Sequence, residues 1–422
     1  MLINPTRALR GELSVPGDKS ISHRSVIFGA LSEGACRISH FLMSDDCRAT
    51  IDCFRKLGVS IEERGDEVMI HGVGLHGLSA PKTTLYTANS GTTTRLLAGL
   101  LAAQDFDSVL DGDASIRMRP MARVAAPLRQ MGAQIETTNG DFCPLHLHGS
   151  SLHGMDYTLP VASAQLKSAL ILAGLYAEGE TIIRERTPSR NHTEHMLAHL
   201  GAPVHAQHGV ITVSRAAQLR AFDMTVPGDI SSAAFFLVAG LIVPGSEILL
   251  KNVGLNPTRS GVITLLRAMG GDITVLPRED SLEPRGDLLV RASRLHGIEI
   301  GGAIIPNVID ELPILAVAAA YAEGETRIFD AAELRHKESD RIAAMCAMLK
   351  KCGVSLAETP DGMILYGGKQ PHGAALTSYH DHRVAMAMTV CALGASSPST
   401  LEDAGAVTIS YPEFFEDLKT LS

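Results

Sequence analysis

The sequence predicts an α/β protein of two lobes, each made of three βαβαββ repeats, and three observations lead there. Six corners each carry a near-extended segment into an apolar helix: Pro16-Gly17-Asp18-Lys19-Ser20, Ala88-Asn89-Ser90-Gly91-Thr92-Thr93, Val161-Ala162-Ser163-Ala164-Gln165, Pro227-Gly228-Asp229-Ile230-Ser231-Ser232, Pro306-Asn307-Val308-Ile309-Asp310 and Tyr379-His380-Asp381-His382-Arg383. Five copies contain a second helix that stops at a glycine, namely Gly58, Gly132, Gly201, Gly270 and Gly353, spaced by 74, 69, 69 and 83 residues. Self-similarity at such a period marks a repeat architecture. At 422 residues the chain exceeds what one core usually serves, so the copies divide into three and three.

Within a copy, the first helix follows its corner, and a short extended segment leads to the second. The second helices keep helical spacing of apolar residues, as in Val124, Leu128, Met131 and Ile342, Met345, Leu349. The closing glycine supplies the left-handed residue that ends them. Short alternating segments follow, joined by Asn139-Gly140, His208-Gly209 and Asp361-Gly362 turns. The fourth copy has the longest insertion, a charged hairpin tip from Pro277 to Gly286. The sixth ends early, after Phe414-Phe415-Glu416-Asp417-Leu418, and the segment before Pro16 supplies strands with no helix pair of their own. The N-terminal strands are therefore expected to complete the last copy. The lobes become residues 18–227, and residues 1–17 with 228–422. The chain crosses between them near two Pro-Gly-Asp corners, which suggests hinges and a cleft able to shut on its ligand.

Composition narrows the partners. A hydrophobic fraction of 45% and a charged fraction of 20% describe an ordinary globular protein. A net charge of −9 and the absence of Trp argue against nucleic acid. The seven cysteines form no C-x-x-C pair and read as reduced, mostly buried thiols, so no metal is expected. The N-terminus has no apolar run of a signal peptide, and the longest apolar stretch, Ala233 to Val243, is too short to span a bilayer, so a cytoplasmic location without a membrane partner is expected.

Six helix starts mean six sites where unpaired N–H groups and the helix dipole favour an anion. Lys19, Ser20 and Arg24 lie across one helix turn, a pattern suited to phosphate or carboxylate but lacking P-loop spacing. Asn89-Ser90-Gly91-Thr92-Thr93-Thr94-Arg95 combines donors with a glycine that lets backbone approach a ligand. Arg117 and Arg119 precede another helix, and the run Glu333 to Arg341 mixes cations with acids, as salt-bridged helix starts do. Asp310-Glu311 puts acids where the other copies place donors, and an anion-binding cleft that does chemistry needs a base. His380-Asp381-His382 lacks a third ligand at useful spacing for a metal.

Taken together these motifs closely resemble the 5-enolpyruvylshikimate 3-phosphate (EPSP) synthase family, and in particular its divergent bacterial subgroup. The resemblance runs from Val15-Pro16-Gly17-Asp18-Lys19-Ser20 to Ser410-Tyr411-Pro412-Glu413-Phe414, with Asn89–Arg95, Arg117–Met121, Ser163–Ser168, Lys337–Arg341 and Asp381-His382-Arg383 in the family's order. It implies the two-lobed enolpyruvyl transferase-like fold, an inside-out α/β barrel with each lobe's repeats around buried parallel helices. It implies transfer of the enolpyruvyl group of phosphoenolpyruvate to the 5-hydroxyl of shikimate 3-phosphate, in the pathway to chorismate and aromatic amino acids, by a glyphosate-sensitive monomer without cofactor.

By position, the resemblance assigns shikimate 3-phosphate to Lys19, Ser20, Arg24, Ser163, Gln165, Asp310 and Lys337. Phosphoenolpyruvate falls to Lys19, Gly91, Arg119, Gln165, Arg341 and Arg383, and catalysis to Asp310, Glu338 and Lys19. Departures from many members are Ala164 for a second Ser, Ser90 for Ala and Leu96 for Pro, and from some members Glu333 for Asn and Ile409 for Lys. Two alternatives stand beside this reading. One is the sister transferase acting on UDP-N-acetylglucosamine, which usually carries a Cys in a mobile loop where this chain reads Asp113-Ala114-Ser115-Ile116-Arg117. The other is a non-catalytic anion-binding repeat protein, to which Asp310 and Glu338 would bring nothing.

Overall fold

A computed structural model describes residues 1–278 and 282–421. It divides into two compact units, Gly17–Val226 and the combination of Met1–Pro16 with Pro227–Ser422. The tip of the fourth copy's hairpin, residues 279–281, lies outside the described residues, while its flanking strands Asp272–Arg278 and Arg285–Arg291 pair antiparallel.

In Gly17–Val226, three four-stranded sheets repeat one order. The second copy shows it plainly: Leu85–Tyr86 runs parallel to Ser108–Asp111, which pairs antiparallel with Phe142–His148 and through it with Gln134–Thr138. Each sheet is served by one inner and one outer helix. The inner helices Lys19–Leu31, Gly91–Leu101 and Ala164–Gly174 are buried nearly all round, which explains why their apolar residues show no single face. Close backbone approach holds them together. A Cβ on Gly99 would lie 2.2 Å from the Ala169 carbonyl oxygen, so only glycine fits where these two helices meet. The outer helices, such as Asp45–Lys56, bury one stripe only. All five predicted glycine stops have positive φ, from 82° at Gly353 to 97° at Gly132.

The other unit repeats the plan around Ile230–Ile242, Leu312–Tyr321 and His382–Leu393. Its sixth copy is short: the sheet has three strands, and helix Phe414–Thr420 stands where a second helix and hairpin would be. Phe235, Phe236, Tyr411 and Phe414 pack edge-on or tilted at ring separations of 5.6–6.0 Å and tie this end of the chain to helix Ile230–Ile242.

Three expectations need correction. Only the first N-terminal strand, Leu2–Ile3, completes the sixth copy, by pairing with Ser399–Glu402; the second, Arg10–Leu13, joins Glu247–Gly254 of the fourth. Its counterpart Met224–Thr225, which leads toward the fourth corner, pairs instead with Glu33–Ser39 of the first copy. Each strand stays with the sheet on its own side of the crossing, and only the helix after the corner enters the next unit. The fifth corner does not start its helix directly: Ile305–Val308 forms a short helix, and the helical segment Gly302–Val308 that it ends is bent by 111° from Leu312–Tyr321 across Ile309 to Glu311. Finally, the tight turn before Gly362 is Pro360-Asp361. Gly362 itself begins the strand, where a Cβ would meet the Ile328 carbonyl oxygen at 1.9 Å.

All seven cysteines are free and buried, and no group of potential metal ligands occurs among the described residues. Among them, no single helix is long and apolar enough to cross a membrane.

Candidate active site

In Gly17–Val226 the three inner helices begin with side-chain caps. Asp18 accepts from the Ile21 N–H at 2.9 Å, Ser90 from the Thr93 N–H at 3.1 Å and Ser163 from the Leu166 N–H at 3.4 Å. The three first turns are tied to one another. Gln165 accepts from Arg95 at 2.8 Å and donates to Thr92 Oγ1 at 3.1 Å, joining the second and third corners. Arg24 joins the first to the third, donating to Ser168 Oγ at 2.8 Å, to Thr193 Oγ1 at 2.7 Å and to its own helix's Ser20 carbonyl at 2.9 Å. Lys19 and Arg24 thus turn to different partners, since the Lys19 ammonium pairs with Asp46. Arg119 donates to Asn89 Oδ1 at 2.7 Å, whereas Arg117 folds back on Asp111 with contacts of 3.0 and 2.5 Å. Gly91 lies between two guanidinium groups: a Cβ there would be 2.8 Å from Arg95 Nη1 and 3.2 Å from Arg119 Nη1.

Several contributors were not read from the sequence because their partners lie far along the chain. Arg190 places Nη1 3.5 Å from Ser20 Oγ. Its segment is fixed by Lys167, a fully buried ammonium between Glu185 at 2.8 Å and Glu194 at 2.7 Å. His23 begins a buried chain through Thr50 Oγ1, Thr93 Oγ1 and Ser90 Oγ, each step 2.7 Å long. Thr93 donates to Ser90, so Thr50 donates to Thr93, and His23 must donate from Nδ1.

In the other unit, one guanidinium gathers three carboxylates. Arg341, 1% exposed, reaches Asp381 at 2.8 Å, Glu338 at 2.6 Å and Asp310 at 3.4 Å. Burial opposes its charge, but Asp381, Glu338 and Asp310 outweigh that and hold it ionised. Asp310 also lies 3.8 Å from Lys337 Nζ and 3.8 Å from Arg383 Nε. Asp381 caps its helix by accepting from the Arg383 N–H at 2.8 Å, and burial, which would raise its pKa, is outweighed by Arg341. Arg335 takes no part: it pairs with Asp340 and Glu358. The structure therefore brings Lys19, Ser20, Arg24, Gly91, Arg119, Ser163 and Gln165 to the three linked corners of one unit, and Asp310, Lys337, Glu338, Arg341 and Arg383 to one cluster in the other.

Two buried histidines make stability pH-dependent. Burial, aided by Lys19 and Arg24, holds the His23 pKa well below 6.5; burial brings His382 down to about 3 despite Asp381. Below pH 6.5 the unfolded chain protonates both while the folded one does not, so stability falls as pH falls. The expected slope is about 1.4 kcal/mol per pH unit for each histidine. Denaturant unfolding at steps from pH 7 downward should show His23→Asn with a shallower decline than wild type; parallel declines would remove His23 from the account.

Comparison with known proteins agrees along the whole chain. A family model described as EPSP synthase (3-phosphoshikimate 1-carboxyvinyltransferase) matches residues 3–418. The 3-phosphoshikimate 1-carboxyvinyltransferase of Alkaliphilus metalliredigens is 50% identical, with 100% of this chain and 99% of that one covered. The Bacillus subtilis protein of that name is 50% identical over 99% of this chain and 98% of its own. The solved structure of EPSP synthase from Acinetobacter baumannii superposes with a TM-score of 0.90 at 46% identity, covering 100% of this chain and 98% of that one. A likeness this extensive in sequence and architecture leaves no part of the chain outside it, and the chain belongs to the EPSP synthase (3-phosphoshikimate 1-carboxyvinyltransferase) family.

Proposed function

We propose that this chain transfers the enolpyruvyl group of phosphoenolpyruvate to the 5-hydroxyl of shikimate 3-phosphate, releasing phosphate. The observation that carries the reading beyond family membership is Asp310, a carboxylate 3.4–3.8 Å from three cations. A pure anion binder gains nothing from an acid at such a place, whereas a transferase needs a base there. The 5-hydroxyl loses its proton to Asp310 as its oxygen attacks C2 of phosphoenolpyruvate, and C3 gains a proton from Glu338 with Lys19. Phosphate then leaves C2 as C3 gives that proton back, which restores the double bond.

Lys19, Ser20, Arg24, Ser163, Gln165, Asp310 and Lys337 hold shikimate 3-phosphate in this reading, and Lys19, Gly91, Arg119, Gln165, Arg341 and Arg383 hold phosphoenolpyruvate. Both substrates carry a phosphate and a carboxylate, which suits guanidinium forks and capped helix starts. The enzyme acts as a cytoplasmic monomer in the route to chorismate. Phosphate release from the two substrates together, and from neither alone, is the expected result. Release with UDP-N-acetylglucosamine replacing shikimate 3-phosphate would favour the sister activity, and binding without release would favour a sensor.

Gly91 gives a second test through glyphosate, which competes with phosphoenolpyruvate in the family this chain resembles. An added methyl must displace the ends of Arg95 and Arg119, and overpacking of this kind costs about 1–3 kcal/mol. Glyphosate is the longer ligand and needs that space more. Gly91→Ala is expected to raise its inhibition constant roughly ten- to a hundredfold and the phosphoenolpyruvate KM less. Unchanged inhibition would take Gly91 out of the ligand's reach.

A further inference from the structure

The bend that presents Asp310 has an anchor of its own. Glu311 lies next to it in the chain but turns its side chain to other partners, in full burial, while the Asp310 side chain stays 15% exposed. There Glu311 accepts a short hydrogen bond from Ser231 and faces Arg259 Nη1 at 3.5 Å. Arg259, itself buried, donates to Ser231 Oγ at 2.7 Å and lies 3.5 Å from Asp229, the cap of helix Ile230–Ile242. The same loop holds the bend a second time. Asn307 Oδ1 accepts from the Gly261 N–H at 2.9 Å, and Asn307 Nδ2 donates to the Pro257 carbonyl at 2.7 Å.

The backbone at this place gives the anchor its purpose. Between Gly302–Val308 and Leu312–Tyr321 the helix axis turns by 111°, so continuous helical bonding does not fix the position of residues 309–311. One residue of that break carries the carboxylate set among Lys337, Arg341 and Arg383. The neighbouring residue is clamped elsewhere by a buried ion pair and a hydroxyl. A buried ion pair adds little to stability on balance and is better suited to fixing one arrangement.

We infer that Glu311, through Arg259 and Ser231, is a positioning residue for Asp310: it locks the bend so that the Asp310 carboxylate stands at the place from which it takes the substrate's proton. This rests on the role of Asp310 proposed above. Proton transfer tolerates little misplacement, and a displacement of about 1 Å can cost a hundredfold in rate.

The test is a double-mutant cycle in the full chain, read as phosphate release from phosphoenolpyruvate and shikimate 3-phosphate. Glu311→Gln keeps the shape and a hydrogen bond to Ser231 but loses the charge facing Arg259. It is expected to lower kcat by about 10- to 100-fold, with both KM values within about threefold. In an Asp310→Asn background the same change should leave the residual rate unaltered, because no base remains to be placed. Should Glu311→Gln fold poorly, Ser231→Ala removes the hydroxyl alone and should show the same dependence on Asp310 at smaller size. An equal factor in both backgrounds, or loss of substrate affinity in place of turnover, overturns the inference and leaves the transferase reading intact. A wild-type chain that releases no phosphate overturns both.

Discussion

Asp310→Asn is expected to lower kcat by about 10²–10⁴-fold while shikimate 3-phosphate binding stays within about an order of magnitude, the range general acid–base groups typically supply. The substitution is nearly isosteric. The amide oxygen still accepts from Arg341, whose Nη1 lies 3.4 Å from Asp310 Oδ1, so the cluster should keep its shape. What the amide cannot do is accept the 5-hydroxyl proton. Removing one negative charge among Lys337, Arg341 and Arg383 also leaves the cluster more attractive to an anionic substrate, so affinity has no electrostatic reason to fall. Calorimetric binding beside steady-state turnover checks this. Equal losses in both would assign Asp310 to binding and leave the base to be sought elsewhere.

Much of this architecture was legible because the repeat writes its punctuation in residues that have few other uses. Gly58, Gly132, Gly201, Gly270 and Gly353 end helices with positive φ, and no side chain is as comfortable there. Asp18, Ser90, Ser163, Asp229 and Asp381 cap helices where hydroxyls and carboxylates are the usual choice. Strand partnership was less legible. Arg10–Leu13 and Met224–Thr225 both precede a corner, yet each pairs away from the helix that follows it, and nothing local to either strand records that exchange.

The candidate site divides the same way. Lys19, Ser20 and Arg24 sit within one helix turn and could be read together. Arg190 reaches Ser20 from a segment fixed by Lys167, Glu185 and Glu194, and the contact spans 170 residues. Arg259 and Glu311 are a loop cation and a helix-start acid in sequence; only folding buries them against each other. Residues that act through a helix start leave a local pattern, whereas residues that act through a partner far along the chain leave none.

Arg341→Met is expected to remove about 3–5 kcal/mol of stability, the usual result of taking one partner from a buried charge pair. The methionine can fill the space, so the loss is electrostatic. Of the three carboxylates on Arg341, Asp381 is the one wholly buried; Asp310 and Glu338 keep 15% and 19% of their side-chain exposure. With the guanidinium gone, Asp381 retains Ser339 Oγ at 3.0 Å and the Arg383 N–H at 2.8 Å, but no buried cation. The pH dependence distinguishes this from simple repacking. In the wild type Arg341 holds the Asp381 pKa below its ordinary 3.8, so the stability it brings is present above that value and is lost as pH falls through the lower, folded one. In the variant burial, joined by the nearby Glu338 charge, is no longer countered by the guanidinium and raises the carboxyl's pKa. The folded chain then binds the proton more tightly than the unfolded one, so acid favours the fold. The stability gap between the two should therefore be smaller at about pH 5 than at about pH 7.5. Denaturant unfolding at both pH values measures the gap; the His23 contribution is common to both proteins and cancels, while His382, whose pKa Arg341 also lowers, shifts upward with Asp381 and narrows the gap in the same direction. Arg341→Lys should recover only part of the loss, because an ammonium lacks the planar fork that reaches Asp381 and Glu338 together. A gap that stays constant with pH would mean that Asp381 is balanced by something other than Arg341, and that the guanidinium is there for its volume.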